Sequence, residues 1–197
     1  MKESIRIIQG EHRSISSVLL ALKELTRMAR DASVRPDFRA FRAMIRYIDE
    51  YPERLHHPKE DEYLFPRVAA ISAQARELVE RLESEHREGA RLIRELERAL
   101  VIVEDARPAG WREFSDLVEQ YCQFHWNHMR LEENELLPLA ERHFTSADWM
   151  AVDEGFAANH DPLAEVKERD FAALFTRLVN LAPAPVGLGE PWKRAGG

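Results

Sequence analysis

"HHPKEDEYLFP", residues 56–66, sets two histidines, three carboxylates and two prolines in a stretch otherwise patterned as a helix. A second stretch, "HMRLEENELLP", residues 128–138, repeats its frame. His56 answers to His128, Glu60 to Glu132, Leu64 to Leu136 and Pro66 to Pro138, so H-x-x-x-E-x-x-x-L-x-P occurs twice. Four residues along a helix turn about 400° and rise about 6 Å, which stacks each histidine over its glutamate. A shorter echo precedes each frame: "GEHRS" with His12 and "SEHRE" with His86. His12 lies 48 residues before Glu60, and His86 lies 46 before Glu132. Two near-matching sets of this kind predict a pseudo-twofold arrangement around one point.

The frames sit on long amphipathic patterns. Apolar residues recur at a three-to-four spacing from Ser4 to about Arg30, through Ile8, Ile15, Leu19, Leu22 and Leu25. A second helix is predicted from about Asp37 to Leu64, interrupted at Pro52 and Pro58 and ended by Pro66. A third is expected from about Ser72 to Glu104 and a fourth from about Trp111 to Phe144. Short links between four such helices predict an all-α fold, an up-down-up-down four-helix bundle over residues 1–144. "TSADW" reads as a cap and helix start. Residues 145–182 then form a helical C-terminal extension whose stripe is Trp149, Val152, Phe156, Phe171, Leu174 and Leu178. That stripe packs on the bundle by default; a dimer contact or a lid is the alternative. Residues 183–197 are a Pro/Gly-rich tail, read as extended or partly disordered.

Composition narrows the partners. The 28 basic and 35 acidic residues give a net charge of −7, which argues against nucleic acid or an anionic membrane surface. The one cysteine, Cys122, excludes an intrachain disulfide framework and points to a cytoplasmic home. "MKESIRIIQGEHRS" has no uninterrupted apolar run, so no signal peptide is expected, and no run approaches the roughly 18 apolar residues of a membrane span. No nucleophile constellation, phosphate-binding glycine loop or dinucleotide fingerprint is visible.

In an antiparallel bundle His12 and His86 face the two His-x-x-x-Glu pairs at one level. Four imidazoles and two carboxylates exceed what one tetrahedral zinc uses. They suit two ions of iron or manganese, each carboxylate bridging the pair. Pro58 removes a backbone donor, which costs on the order of 3 kcal/mol in an ordinary helix interior. Either it distorts the helix to re-aim His56, or Pro52 and Pro58 mark simple curvature.

This constellation resembles the hemerythrin-like HHE cation-binding family. The residues that carry it are "EHRS" (His12), "HHPKEDEYLFP" (His56, Glu60), "SEHRE" (His86) and "HMRLEENELLP" (His128, Glu132). "ADWMAVDEGFAANHDPL" is similar to the C-terminal extension of a bacterial subgroup. The resemblance implies a non-haem di-iron centre that binds dioxygen, with the two glutamates bridging and the histidines terminal. Oxygen-carrying members use five histidines; only four match here. His125 is the best spare, His57 is turned about 100° from His56 and expected beside the site or at the surface, and His143 and His160 lie away from it. The leading expectation is a metal- and gas-binding protein that binds dioxygen or nitric oxide for sensing, storage or scavenging. A redox or repair-type centre that turns over oxygen, peroxide or nitric oxide, or donates iron, is the alternative. A zinc or structural site is the third.

Taken singly, most of these residues have a plainer reading. Asp61 and Glu133 are expected behind the ligands or solvated, and Glu11 and Glu85 are candidates to hold the far nitrogen of a ligating histidine. Cys122, six residues from His128, reads as a packed thiol. Tyr121, Phe124 and Trp126 read first as core, and as walls of a gas pocket second.

Overall fold

The computed structural model describes residues 2–30, 35–106, 110–157 and 180–193, and among them every long element is a helix. Helix α1 is Glu3–Met28, with Ile5, Ile8, Ile15, Leu19, Leu22 and Leu25 all buried on one stripe. Helix α2 covers residues 38–69; Asp37 starts it by accepting the Arg39 N–H at 2.9 Å. Helix α3 is Ala73–Ala106, started by Ser72 accepting the Ala75 N–H at 3.1 Å. Helix α4 covers residues 111–143, and α5 is Ser146–Ala157. Thr145 and Asp148 cap α5 reciprocally: Thr145 Oγ1 accepts the Asp148 N–H at 3.2 Å, and Asp148 Oδ2 accepts the Thr145 N–H at 2.9 Å.

Helices α2 and α4 are not regular. Three π-helical turns interrupt them, at Pro52–His56, Glu60–Leu64 and Glu132–Leu136. Each closes when an amide reaches back five residues: His57 N–H to Pro52 O, Phe65 N–H to Glu60 O, Leu137 N–H to Glu132 O. In all three cases the next residue is proline, Pro58, Pro66 or Pro138. The ladder is already out of step there, so a residue without an amide fits where a regular helix would break. The sequence expectation that Pro66 ends the second helix is corrected on this ground, since the helix continues through Phe65–Ala69.

The turn at Pro52–His56 has no counterpart in α4, where Trp111–Leu131 is regular. It absorbs one residue. Downstream, the buried pairs His56/His128, Glu60/Glu132 and Leu64/Leu136 are 72 positions apart; upstream, the buried pairs Phe41/Phe114, Ile45/Val118 and Ile48/Tyr121 are 73 apart. Pro58 thus follows directly on a one-residue insertion absorbed by the π turn before it, rather than marking gentle curvature.

The apolar interior falls into two clusters. One contains Leu19, Leu22, Phe41, Ile48, Leu96, Phe114 and Tyr121; the other contains Ile5, Ile8, Leu64, Phe65, Leu82 and Leu136. Each fully buried side chain of this size contributes roughly 1.5–3 kcal/mol. His12, His56, Glu60, His86, His128 and Glu132 fall at the boundary between the two clusters along their helices. Trp149, Val152 and Phe156 of α5 are buried in the second cluster, against the chain itself. Gly155 allows that approach, because a Cβ there would lie 2.2 Å from the Tyr63 ring. In the segment 180–193, Ala182 is buried and Trp192 stacks on Phe41 with ring centroids 6.2 Å apart. Among the described residues no helix is long and apolar enough to cross a membrane. Phe171, Leu174, Leu178 and His160 lie outside the described residues.

Candidate metal centre

The polar layer between the clusters is made of His12 on α1, His56 and Glu60 on α2, His86 on α3, and His128 and Glu132 on α4, all buried. Both glutamates are 0% exposed. Two groups of possible ligand atoms result, each with all atoms within 4.8 Å of one another: His12, His56, Glu60, Glu132, and Glu60, His86, His128, Glu132. The glutamates are common to both. All six residues expected from the repeat therefore converge.

Every one of the four imidazoles is held from behind. His12 Nδ1–H donates to Glu133 at 2.9 Å, His56 to Glu11 at 2.8 Å, His86 to Asp61 at 2.8 Å and His128 to Glu85 at 3.0 Å. Because a carboxylate only accepts, each Nδ1 carries the proton, and each Nε2 turns inward. The pattern is symmetric. The residue after each shared glutamate holds the histidine of α1 or α3, and the residue before each of those histidines holds the histidine of α2 or α4. Glu11 and Glu85 thus act on the neighbouring helix rather than beside their own histidine.

The inward face gathers donor atoms that the protein itself does not satisfy. His12 Nε2 and His56 Nε2 are 3.1 Å apart, as are His86 Nε2 and His128 Nε2, and only one nitrogen of each pair can carry a proton toward the other. All four oxygens of Glu60 and Glu132 are buried without a hydrogen bond, although imidazole Nε2 atoms stand 3.2–3.8 Å away. Orphaned buried carboxylate oxygens are costly unless a cation satisfies them. Burial and the Glu132 charge push the Glu60 carboxyl well up, whereas the imidazoles around Glu132 outweigh its burial and hold it well down. Burial pushes His56 down to about 4. Burial works the same way on His128, but Glu132 and Glu85 overcome it and raise the ring to about 10. Four nitrogens and two shared carboxylates fit a pair of borderline divalent ions.

A further buried cluster adjoins this layer. His57 is 4% exposed, stacks on His86 with centroids 4.0 Å apart, and forms a third group of possible ligand atoms with His86 and His128. Its Nδ1 lies 3.4 Å from Glu53, repeating loosely the carboxylate-behind-imidazole pattern. His125 is buried too, but its Nε2 faces Glu53 at 3.5 Å and it joins none of the three groups. Tyr121 donates to Glu53 at 3.2 Å. Burial pushes Glu53 up to about 7. Glu53 and buried Lys59 were not legible in advance, because each reads as an ordinary charge on a solvated helix face. One signal existed for Glu53: it lies 72 positions before His125 and four before His57. His143 is exposed, away from the layer. Cys122 is buried with its Sγ 3.5 Å from the Leu19 carbonyl, and burial raises its thiol to about 12, so it is a packed thiol.

Fold and site together define a helical protein with a histidine- and carboxylate-lined cation site. The profile of the hemerythrin HHE cation binding domain matches residues 3–140, and the chain belongs to that family. No curated protein and no solved structure matches the chain. Family and clusters together make this a metal-binding domain, of a family whose ion is typically iron.

Proposed function

We propose that residues 1–144 form an up-down-up-down four-helix bundle holding a dinuclear non-haem iron centre that binds dioxygen or nitric oxide for sensing, storage or scavenging. A C-terminal extension begins at residue 145 with the helix Ser146–Ala157, in a cytoplasmic protein. His12, His56, Glu60, His86, His128 and Glu132 would hold the iron, with both glutamates common to the two groups of ligand atoms. The observation that carries the reading is the pair of hydrogen-bond-free buried glutamates faced by four imidazoles whose Nδ1 atoms are already committed to carboxylates. That commitment presents each Nε2 lone pair inward. His57, rather than His125, supplies a fifth nitrogen at the His86/His128 half, since it alone of the two groups with them. When bound, iron would supply the electrons for binding dioxygen or nitric oxide. Leu64, Phe65 and Leu136, all 0% exposed, wall the layer on one side and keep water from it.

Glu53 favours a second reading, redox or repair-type turnover. A carboxyl near neutrality beside His57, His125 and Tyr121 can hold a proton within the site, which reversible carriage does not require.

Anaerobic loading with iron(II), followed by admission and removal of oxygen under visible absorption, tests both. A charge-transfer band that appears and fades reversibly supports binding and release. A band that decays irreversibly supports turnover. Zinc or manganese in place of iron in the metal analysis overturns the iron chemistry. Full iron retention after His128→Ala with Glu132→Ala sinks the ligand assignment.

A further inference from the structure

The ligand layer is symmetric, yet what stands behind it is not. On one side Glu11 Oε2 holds His56 at 2.8 Å while Glu11 Oε1 accepts from Lys59 Nζ at 2.7 Å. The Lys59 side chain is only 9% exposed, and its Nζ lies 5.4 Å from the centre of the Phe156 ring of α5. The extension therefore seals a buried ammonium behind the first half of the centre. On the other side Glu85 holds His128 at 3.0 Å and pairs with Arg81, but Arg81 is 62% exposed and water screens it. The position matching Lys59 on α4 is Leu131. A buried carboxylate, Glu53, instead stands toward the His86/His128 half through His57.

We infer that Lys59 makes the two halves unequal, so that a divalent cation fills the His86/His128 half first and the His12/His56 half second and more weakly. Lys59 is a positioning residue: it touches no ligand and acts through Glu11. Its ammonium repels a cation at His56 Nε2 across a low-dielectric path, and it draws off the Glu11 charge that would otherwise polarise the His56 Nδ1–H and strengthen Nε2 as a donor. A unit charge roughly 10 Å from a divalent ion, at an effective dielectric of about 20, changes affinity by up to about two orders of magnitude, which screening by water reduces toward tenfold. The same contact gives the C-terminal helix a role in metal loading, since the Phe156 ring covers Lys59.

The inference rests on the six residues above being the ligands. The test is an anaerobic titration of the metal-free full-length chain with cobalt(II), followed by visible absorption. Two steps at least tenfold apart in affinity are expected. His86→Ala should remove the tighter step and His12→Ala the weaker. Lys59→Met should tighten the weaker step about tenfold and leave the tighter in place, whereas Lys59→Arg should keep the separation. Two equal steps in the unaltered chain overturn the inference, as does a Lys59→Met chain whose weaker step is unchanged or looser. Absence of any cobalt uptake by the unaltered chain refutes the metal-centre reading itself, and the inference with it. Should Lys59→Met fail to fold by circular dichroism, Glu11→Gln asks the same question. It leaves the ammonium unopposed and should loosen the weaker step; no change there overturns the inference.

Discussion

Glu53 is a carboxylate placed where its charge is disfavoured. Burial raises it from an ordinary 4.5 to about 7, and the hydrogen bond from Tyr121 does not offset that. Between these two values the folded chain binds a proton that the unfolded chain has released. Stability of the metal-free protein therefore falls as pH rises from about 4.5 to 7, and the whole penalty is present above 7. Glu53→Gln keeps the size and an acceptor for Tyr121 but has no charge to lose. It should raise metal-free stability by on the order of 2 kcal/mol at pH 8 and by almost nothing at pH 4. Urea unfolding at the two pH values measures this, and an equal effect at both would remove the electrostatic explanation. The neighbouring histidines separate by geometry. His57→Ala should weaken iron uptake at the His86/His128 half severalfold, while His125→Ala should leave iron content unchanged. Equal losses would return His125 to contention. A regular helix turns His57 about 100° from His56, which places it beside the site, and its buried ring lies there, 5.5 Å from the His56 ring centre.

The π turns are the elements that the sequence nearly shows. Long helices, their caps at Asp37 and Thr145, and the buried stripes all follow from apolar spacing and capping residues. The prolines are visible as well, but proline usually stops a helix, and nothing local tells a stop from a π turn. The decisive signal is longer in range. The frames repeat at 72 residues while the apolar stripes before them repeat at 73, so one half carries an extra residue that a π turn must absorb. This makes Pro58 cheap. Pro58→Ala should shift the unfolding free energy by less than about 1 kcal/mol, because the ladder is already displaced. Arg130 is the matching position on α4, inside the regular span Trp111–Leu131. Arg130→Pro should cost about 3 kcal/mol or more, by loss of a rung and a clash with the preceding turn. Denaturant midpoints of the two variants decide it. A Pro58→Ala change as large as the Arg130→Pro loss would show that the turn depends on the proline rather than on the insertion.

Across the whole molecule, the metal-free centre is held together by protons where ions belong. His128 is raised to about 10 and His12 and His86 are raised as well, because Glu132 and the carboxylates behind the rings outweigh burial; His56 stays neutral down to about 4. A raised histidine adds stability that is fully present below its ordinary 6.5 and lost as pH rises through its folded value. Metal-free protein should therefore lose stability between about pH 6.5 and 10 on account of His128. An ion at Nε2 needs the neutral ring, so loading must expel the protons that bridge the imidazole pairs. At pH 7, with one proton at most between each imidazole pair, full loading with iron(II) should release between about one and two protons. Ion binding should also stabilise the fold by about 2.7 kcal/mol once free metal exceeds the dissociation constant roughly a hundredfold. That gain should grow as pH rises toward 9, since fewer protons then compete. Anaerobic calorimetry in two buffers of different ionisation enthalpy counts the protons directly. A buffer-independent heat, meaning none released, would show that the imidazoles are neutral before the metal arrives. In that case His12, His86 and His128 meet Glu132 as neutral rings, and the two short Nε2–Nε2 contacts need another partner between them.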